Sequence, residues 1–213
     1  MSETSRPIGC VIMASGLARR FGSNKLLADF GGRPLLCRAL DATDTPQLAC
    51  RIVVTRSAEV ETLCQTLGVA CLRHALPGRN DTVRLGLEAL LTLQPGLAGC
   101  IFLPCDQPLL RRETVEALVC AFVADTRAQK ETERAIFRLA FQAENDPEPL
   151  VGSPVLFGCG YFSALRTLPE GKGGSVLLRR YPERVCNVFT ADRAELLDAD
   201  TPEALRELKQ FLI

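Results

Sequence analysis

The 213-residue sequence contains a single histidine, His74, and although it holds ten cysteines it has no Cys-x-x-Cys pair. Without paired thiols or further imidazoles, zinc and iron–sulfur spacings are excluded, and most of the cysteines read as small buried hydrophobes in a reducing compartment. Net charge is lacking too, with 25 Lys plus Arg against 25 Asp plus Glu. No overall basic field exists to gather nucleic acid or an anionic membrane, so any anion must be held by a local arrangement of donors. The opening "MSETSRPIG" has no apolar core of signal-peptide length and no later run approaches a membrane span, so a cytoplasmic location is expected. What is present is 47% apolar and 23% charged residues, ordinary globular composition at a length suited to one domain with a substantial core.

Short apolar runs alternate with amphipathic stretches. "CVIMA" (10–14), "RIVVT" (51–55), "GVACL" (68–72) and "CIFLP" (100–104) read as strands covered on both faces. Between and after them, 34–42, 58–67, 81–93 and 112–125 show helical spacing, with Asp81 a plausible N-cap of the third. This alternation predicts a three-layer α/β/α domain with a mostly parallel sheet. Beyond it come a charged connection (126–134), the alternating "IFRLAFQ" (136–142) and a surface loop at "AENDPEPLVGSP" (143–154). The chain ends in a helix over 201–212, with Thr201 as N-cap and Pro202 as its first residue.

The first strand breaks into "ASGLARRFGSNK", small residues followed by cations. Ligands of parallel sheets collect beyond the strands' carboxyl ends, where small residues let backbone amides approach a phosphate. Arg20 and Lys25 add full charges there. The spacing is neither a Walker loop nor Gly-x-Gly-x-x-Gly, so phosphate binding and a plain strand-to-helix turn both remain open. Asp106, just past the strand 100–104, reads either as a magnesium-holding carboxylate or as a turn residue before Pro108. Arg79, Asp81 and Thr82 start a helix at the same edge and offer hydrogen bonds suited to a base, or simply cap that helix.

"MASGLARRFGSNKLL" (13–27) resembles the Leu-Ala-Ala-Gly-x-x-x-Arg-(x)-Gly-x-x-Lys signature of the MobA-like nucleotidyltransferases, which include the guanylyl- and cytidylyltransferases of the molybdenum cofactor. The resemblance implies a Rossmann-like nucleotide-diphospho-sugar transferase fold and a single domain over 1–213, with a nucleotide part at about 7–125 and an acceptor part at about 126–213. It places Ala14, Ser15, Gly16 and Gly22 against the triphosphate, and Arg20 and Lys25 on its phosphates; Ser15 stands where the family usually has Ala. "GGRPLL" (31–36) continues the likeness. "CDQPLL" resembles the family's Asp-Gln-Pro-Leu, which is similar to the cytidylyl-transferring branch; it makes Asp106 catalytic and metal-binding and puts Gln107 on the acceptor side. A thiol at Cys105 beside such a carboxylate would make the site oxidation-sensitive. Residues 78–90 are similar to a stretch near the cytosine in methylerythritol phosphate cytidylyltransferase.

The block 152–185 resembles the family's Gly-Asn-Pro-Val-Leu-Phe and Gly-Asp-x-Gly-Ala-Arg motifs, with Ser153 for Asn, and Gly171 and Ser175 for Asp and Arg. Ser153, Lys172 and Gly173 are thereby implied at the acceptor, although "EGKGGS" also reads as an ordinary helix-start loop. "LLDADTPEAL" (196–205) matches the family's ending; Asp198 or Asp200 either caps the last helix or completes the metal site with Asp106. The implied chemistry is magnesium-dependent transfer of CMP from CTP to molybdenum-bound molybdopterin, with a molybdenum hydroxylase as recipient of the product. The alternatives are GTP, a sugar or polyol phosphate acceptor, or a non-catalytic cofactor carrier. His74, in "CLRHALPG", reads as a surface-loop residue, with a substrate contact as the alternative.

Overall fold

The computed structural model describes residues 7–16, 21, 24–128 and 135–212. Seven strands form one sheet in the order β3-β2-β1-β4-β6-β5-β7. They are β1 (Ile8–Ala14), β2 (Cys50–Thr55), β3 (Cys71–Arg73), β4 (Gly99–Pro104), β5 (Ile136–Phe141), β6 (Leu150–Gly158) and β7 (Val185–Phe189). β1 through β4 pair in parallel, as do β5 and β7; only β6 runs against its neighbours. The expected mostly parallel sheet is what the chain builds.

The period of two along β1 explains the continuous apolar run. Ile8, Cys10, Ile12 and Ala14 enter the core on one face, while Val11 enters the core on the other. The first face is covered by helices α1 (Leu36–Ala42), α2 (Ala58–Thr66), α4 (Arg112–Ala128) and α7 (Pro202–Leu208). The second carries α3 (Arg79–Leu93), α5 (Phe162–Arg166) and α6 (Ser175–Arg180). Gly86 lets α3 lie tightly on the sheet, since a Cβ there would come within 2.6 Å of Val11 and 3.0 Å of Val54. No helix among the described residues is long and apolar enough to cross a membrane.

Several boundaries differ from the sequence reading. Gly68 has φ +66° and its N–H bonds back to Gln65, so it closes α2 and the strand begins later, at Cys71. Residues 150–154, expected in a surface loop, are the start of β6, where backbone pairing of Leu150 with Phe141 and Val151 with Ala140 overrides the Pro- and Gly-rich composition. The Ser153–Pro154 peptide there is cis, opposite a register shift in β5. α4 runs on to Ala128, three residues past the expected end. Five of the ten cysteines are buried, three half-buried, and Cys120 and Cys186 are exposed; all ten are free.

Strand direction gathers the site. β1 and β4 end at the same edge, and antiparallel β6 begins there. β7 runs with β5, so the chain leaving Phe189 returns to that edge and carries residues 190–200 across it.

Candidate active site

A cavity of about 810 Å³ opens at this edge, on the face of α3 and α6. Its walls bring together Ser15 and Gly16 after β1, Lys25, Asp106 and Gln107 after β4, and Asp198 and Asp200. Arg79, Thr82, Ser153 and Gly173, also singled out in the sequence, line the same space.

Lys25 sits in a short 3₁₀ turn, Lys25–Leu27, capped by Asn24, whose side chain accepts from the Leu26 N–H at 3.2 Å and donates to Ser57 Oγ at 2.9 Å. The Lys25 residue is 8% exposed, yet its ammonium donates to Asp106 Oδ2 at 2.8 Å and to Asp200 Oδ1 at 3.2 Å. Burial opposes that charge, but the hydrogen bond and field of Asp106, then those of Asp200, outweigh it and hold the ammonium's pKa above its ordinary value. The two loops are also stitched by backbone, the Ala199 N–H donating to the Asp106 carbonyl at 2.7 Å.

Two carboxylates therefore hold one ammonium, and Asp198 lies near enough to feel the charges of all three. Asp198 registers the imbalance: partial desolvation, then the charges of Asp106 and Asp200, push its carboxyl up to about 6, against a smaller opposing hydrogen bond from Gln107. Gln107 is 4% exposed, and its Oε1 has no hydrogen-bond partner. Such a folded state holds the Asp198 proton more tightly than the unfolded chain does, so ionised Asp198 opposes folding above about pH 6, and the effect vanishes below the ordinary 3.8. Asp198→Asn is accordingly expected to raise Tm in EDTA at pH 8, by an amount equivalent to about 1 kcal/mol or less because water screens the carboxylate. The advantage over the unsubstituted protein should shrink as pH falls from 6 towards 4. A thermal-shift series across pH checks this, and an advantage that grows on acidification would refute it.

The other expected site residues are placed as follows. Asp81 is not the N-cap of α3: Gly78 is, and Asp81 sits in the first turn, its carboxylate accepting from the Gly78 N–H at 3.0 Å and lying 3.5 Å from Arg84. Neither Asp198 nor Asp200 caps α7; Thr201 does, accepting from the Ala204 N–H at 3.1 Å. Ala14 is buried, with its carbonyl accepting from Thr55 Oγ1. Lys172 is exposed and lies off the cavity wall, whereas its neighbour Gly173 packs on the Arg79 stem. Arg20 and Gly22 lie outside the described residues. Burial, and next to it the charge of Asp106, pushes the Cys105 thiol far up, so it stays protonated beside Asp106.

Arg56 and Arg138 were missed, and His74 was placed on a surface loop. His74 is in the loop that follows β3, as expected, but is half-buried there, its Nε2 lying 3.1 Å from Ser15 Oγ and 3.4 Å from Thr82 Oγ1. The Ser15 hydroxyl proton is spent on the Val54 carbonyl at 3.0 Å, so His74 Nε2 must donate to Ser15. Burial and the nearby Arg56 charge lower the histidine's pKa, in keeping with a neutral ring. Arg56 holds the first loop from below, its guanidinium donating to the Ser15 carbonyl and at 3.3 Å to that of Pro77. Arg138 reaches the cavity from β5. An alternating strand and a Gly-flanked loop gave no signal for these, because their partners lie far off in sequence; Ser15 and His74 are 59 residues apart.

Comparison with known proteins agrees with this architecture. The bifunctional protein GlmU of Thermobifida fusca is 31% identical over 134 residues, covering 59% of this chain and 28% of that protein. A probable molybdenum cofactor guanylyltransferase of Bacillus licheniformis is 31% identical over 130 residues, covering 56% of this chain and 63% of its own length. The chain thus spans less than two thirds of either relative. Two crystal structures of Rv0371c from Mycobacterium tuberculosis, the second a complex with manganese, superpose over 96% of this chain and 98% of theirs, with TM-scores of 0.74 and 0.68 at 22% and 19% identity, and share its fold. Residues 10–185, from β1 to the start of β7 and including the cavity's first loop, Lys25 and Asp106, match the MobA-like NTP transferase domain, and the chain belongs to that family.

Proposed function

We propose that the protein is a nucleotidyltransferase that moves CMP from CTP onto molybdenum-bound molybdopterin and releases pyrophosphate. The observation that carries this reading is the Lys25 ammonium seated between Asp106 and Asp200 on the wall of a cavity that opens where β1 and β4 end. A phosphate oxygen of the acceptor attacks the α-phosphorus, the bond from that phosphorus to the bridging oxygen breaks, and the electron pair leaves on pyrophosphate. Chemistry of this kind is carried by positioning and charge neutralisation. The backbone at Ser15 and Gly16, propped by Arg56 and His74, approaches the phosphates, and Lys25 neutralises charge on the departing pyrophosphate.

The acidic end of the cavity suits a hard divalent cation, magnesium in this reading. Excess carboxylate charge raises the proton affinity of Asp198, and an unpaired amide oxygen lies beside it on Gln107. Among the described residues no three metal-ligating side chains are gathered in advance, so the protein would supply few donors and leave the others to phosphate oxygens. Asp106 with Asp198 or Asp200 would hold the ion; Lys25 donates to Asp106 and Asp200 and not to Asp198, so Asp198 is the carboxylate left to it without displacing the ammonium. When bound, the ion supplies charge neutralisation across the reacting phosphates.

CTP is favoured by "DQPL" (106–109) and the stretch 78–90; GTP is the alternative, since the molybdenum cofactor relative above is named a guanylyltransferase. The test is a panel of the four labelled triphosphates with magnesium and molybdate-loaded molybdopterin, following pyrophosphate release. Release with CTP alone is the expected result. Release with GTP alone corrects the base, and silence with all four, where a known family member turns over, sinks the reading.

A further inference from the structure

Among the described residues four cations line the cavity, and three already have work to do. Lys25 is held by two carboxylates, Arg56 by the carbonyls of Ser15 and Pro77, and the Arg79 stem packs against Gly173 at the rim. Arg138 differs. Its Nε donates to Asn187 Oδ1 at 2.8 Å, a pairing set by the register of β5 on β7, and no carboxylate of the described residues forms an ion pair with it. Arg138 is half-buried and lines the cavity, and with its Nε held by Asn187 its two outer nitrogens form an oriented fork with donors to spare. A partly desolvated cation held on one side and open on the other is suited to a planar or tetrahedral anion.

Its place in the sheet gives the spacing. Arg138 is level with Val155 and, across β6, with Phe102, four residues before Asp106. At about 3.3 Å per residue and about 4.8 Å per strand, the Arg138 and Asp106 backbones lie on the order of 15 Å apart. The side chains close part of that gap, leaving a span on the order of 10 Å between the two groups. Lys25, Asp106 and Asp198 hold the reacting end of the cavity, so the Arg138 fork serves a different group on the same molecule. The loop 170–175 lacks the Asp and Arg of the family motif; its Gly171 N–H is instead bonded to Asn80 Oδ1 at 2.8 Å, and its Ser175 brings no charge to the cavity wall.

We propose that Arg138, oriented by Asn187, binds a second anionic group of the acceptor, remote from the phosphate that attacks. The acceptor class is therefore an elongated molecule with an anion at each end. As to substrate, this rests on the nucleotidyl-transfer reading; the anion site itself does not.

The test has two arms. In the first, ¹⁵N-labelled protein is saturated with magnesium and an α,β-methylene analogue of CTP, and inorganic phosphate is titrated in. The Arg138 Nε–H signal, assigned by its loss in Arg138→Lys, is expected to shift saturably with phosphate and not with chloride at equal ionic strength. A signal that moves no further with phosphate than with chloride overturns the proposal. In the second arm, Arg138→Gln is expected to raise the acceptor KM by about 30-fold or more while kcat and the triphosphate KM stay within about threefold. Asn187→Ala should fall in between. A loss confined to kcat, or shared equally by both substrates, refutes an acceptor anchor. If no acceptor turns over, the transfer reading fails, and the first arm still decides the anion site.

Discussion

Replacing Asp106 by alanine is expected to cut nucleotidyl transfer by a factor on the order of 10³ while the protein stays folded, because the residue's charge serves the reaction far more than the fold. Its side chain is 25% exposed, and Lys25 keeps Asp200 as a partner when it is removed. The structural loss is therefore that of one partly exposed ion pair, about 1 kcal/mol, or about 2–4 °C in Tm for a chain of this size. Asp106→Asn keeps the shape and the backbone contact from Ala199, so near-equal loss of turnover in both variants would place the effect on the charge. Steady-state rates with saturating triphosphate, alongside thermal melts, make the separation. Turnover above a tenth of the original in either variant would remove Asp106 from the chemistry. Intact cofactor delivery by a catalytically dead Asp106→Ala would favour the non-catalytic carrier.

The framework of this site is legible in the sequence because it depends on local regularities. Apolar runs closed by small residues mark where β1 and β4 end, and in a parallel sheet those ends share an edge, so the first loop and Asp106 had to meet. The part that escapes notice depends on long-range pairing. "PLVGSP" reads as loop by composition, yet its backbone continues a sheet whose register is set by β4 and β5. Arg138 in "IFRLAF" has the look of a solvent-facing residue on an alternating strand; only the placement of β6 and β7 turns its face towards a cavity. Asp81 illustrates the opposite error. Its residue type suits an N-cap, but the buried Gly78 takes that position, and a carboxylate three residues on reaches back to it equally well. The aspartates near the C-terminus were visible as a choice between capping and a metal, and Thr201 resolves the first half by taking the cap.

Lys25→Met tests the other half of the charge balance, and its effects divide by pH. Methionine keeps most of the apolar stem in a site that is 8% exposed and removes only the ammonium. The folded pKa of Lys25 lies above the ordinary 10.5, so the stability it contributes is fully present below that value and is lost only as pH rises through the higher folded one. Between pH 5 and 9 the unsubstituted lysine therefore adds no pH dependence of its own, and any that appears in the variant belongs to the carboxylates it had neutralised. With the ammonium gone, the charges of Asp106 and Asp200 act on Asp198 unopposed, which raises the proton affinity of Asp198 further. A fully buried pair broken this way costs about 3–5 kcal/mol; here the Asp200 side chain is 61% exposed, so about 1–2 kcal/mol is expected at pH 8. Much of that loss should return by pH 5 as Asp198 takes up a proton, and manganese should stabilise the variant more than the original protein because it supplies the missing positive charge. Turnover should fall by about 10²–10³-fold at every pH, since neither a proton nor a second ion restores a donor aimed at the leaving pyrophosphate. Melting curves at pH 5 and 8, with and without manganese, read the electrostatics apart from the chemistry. A variant equally stable at both pH values and indifferent to manganese would mean that Lys25 does not balance this cluster.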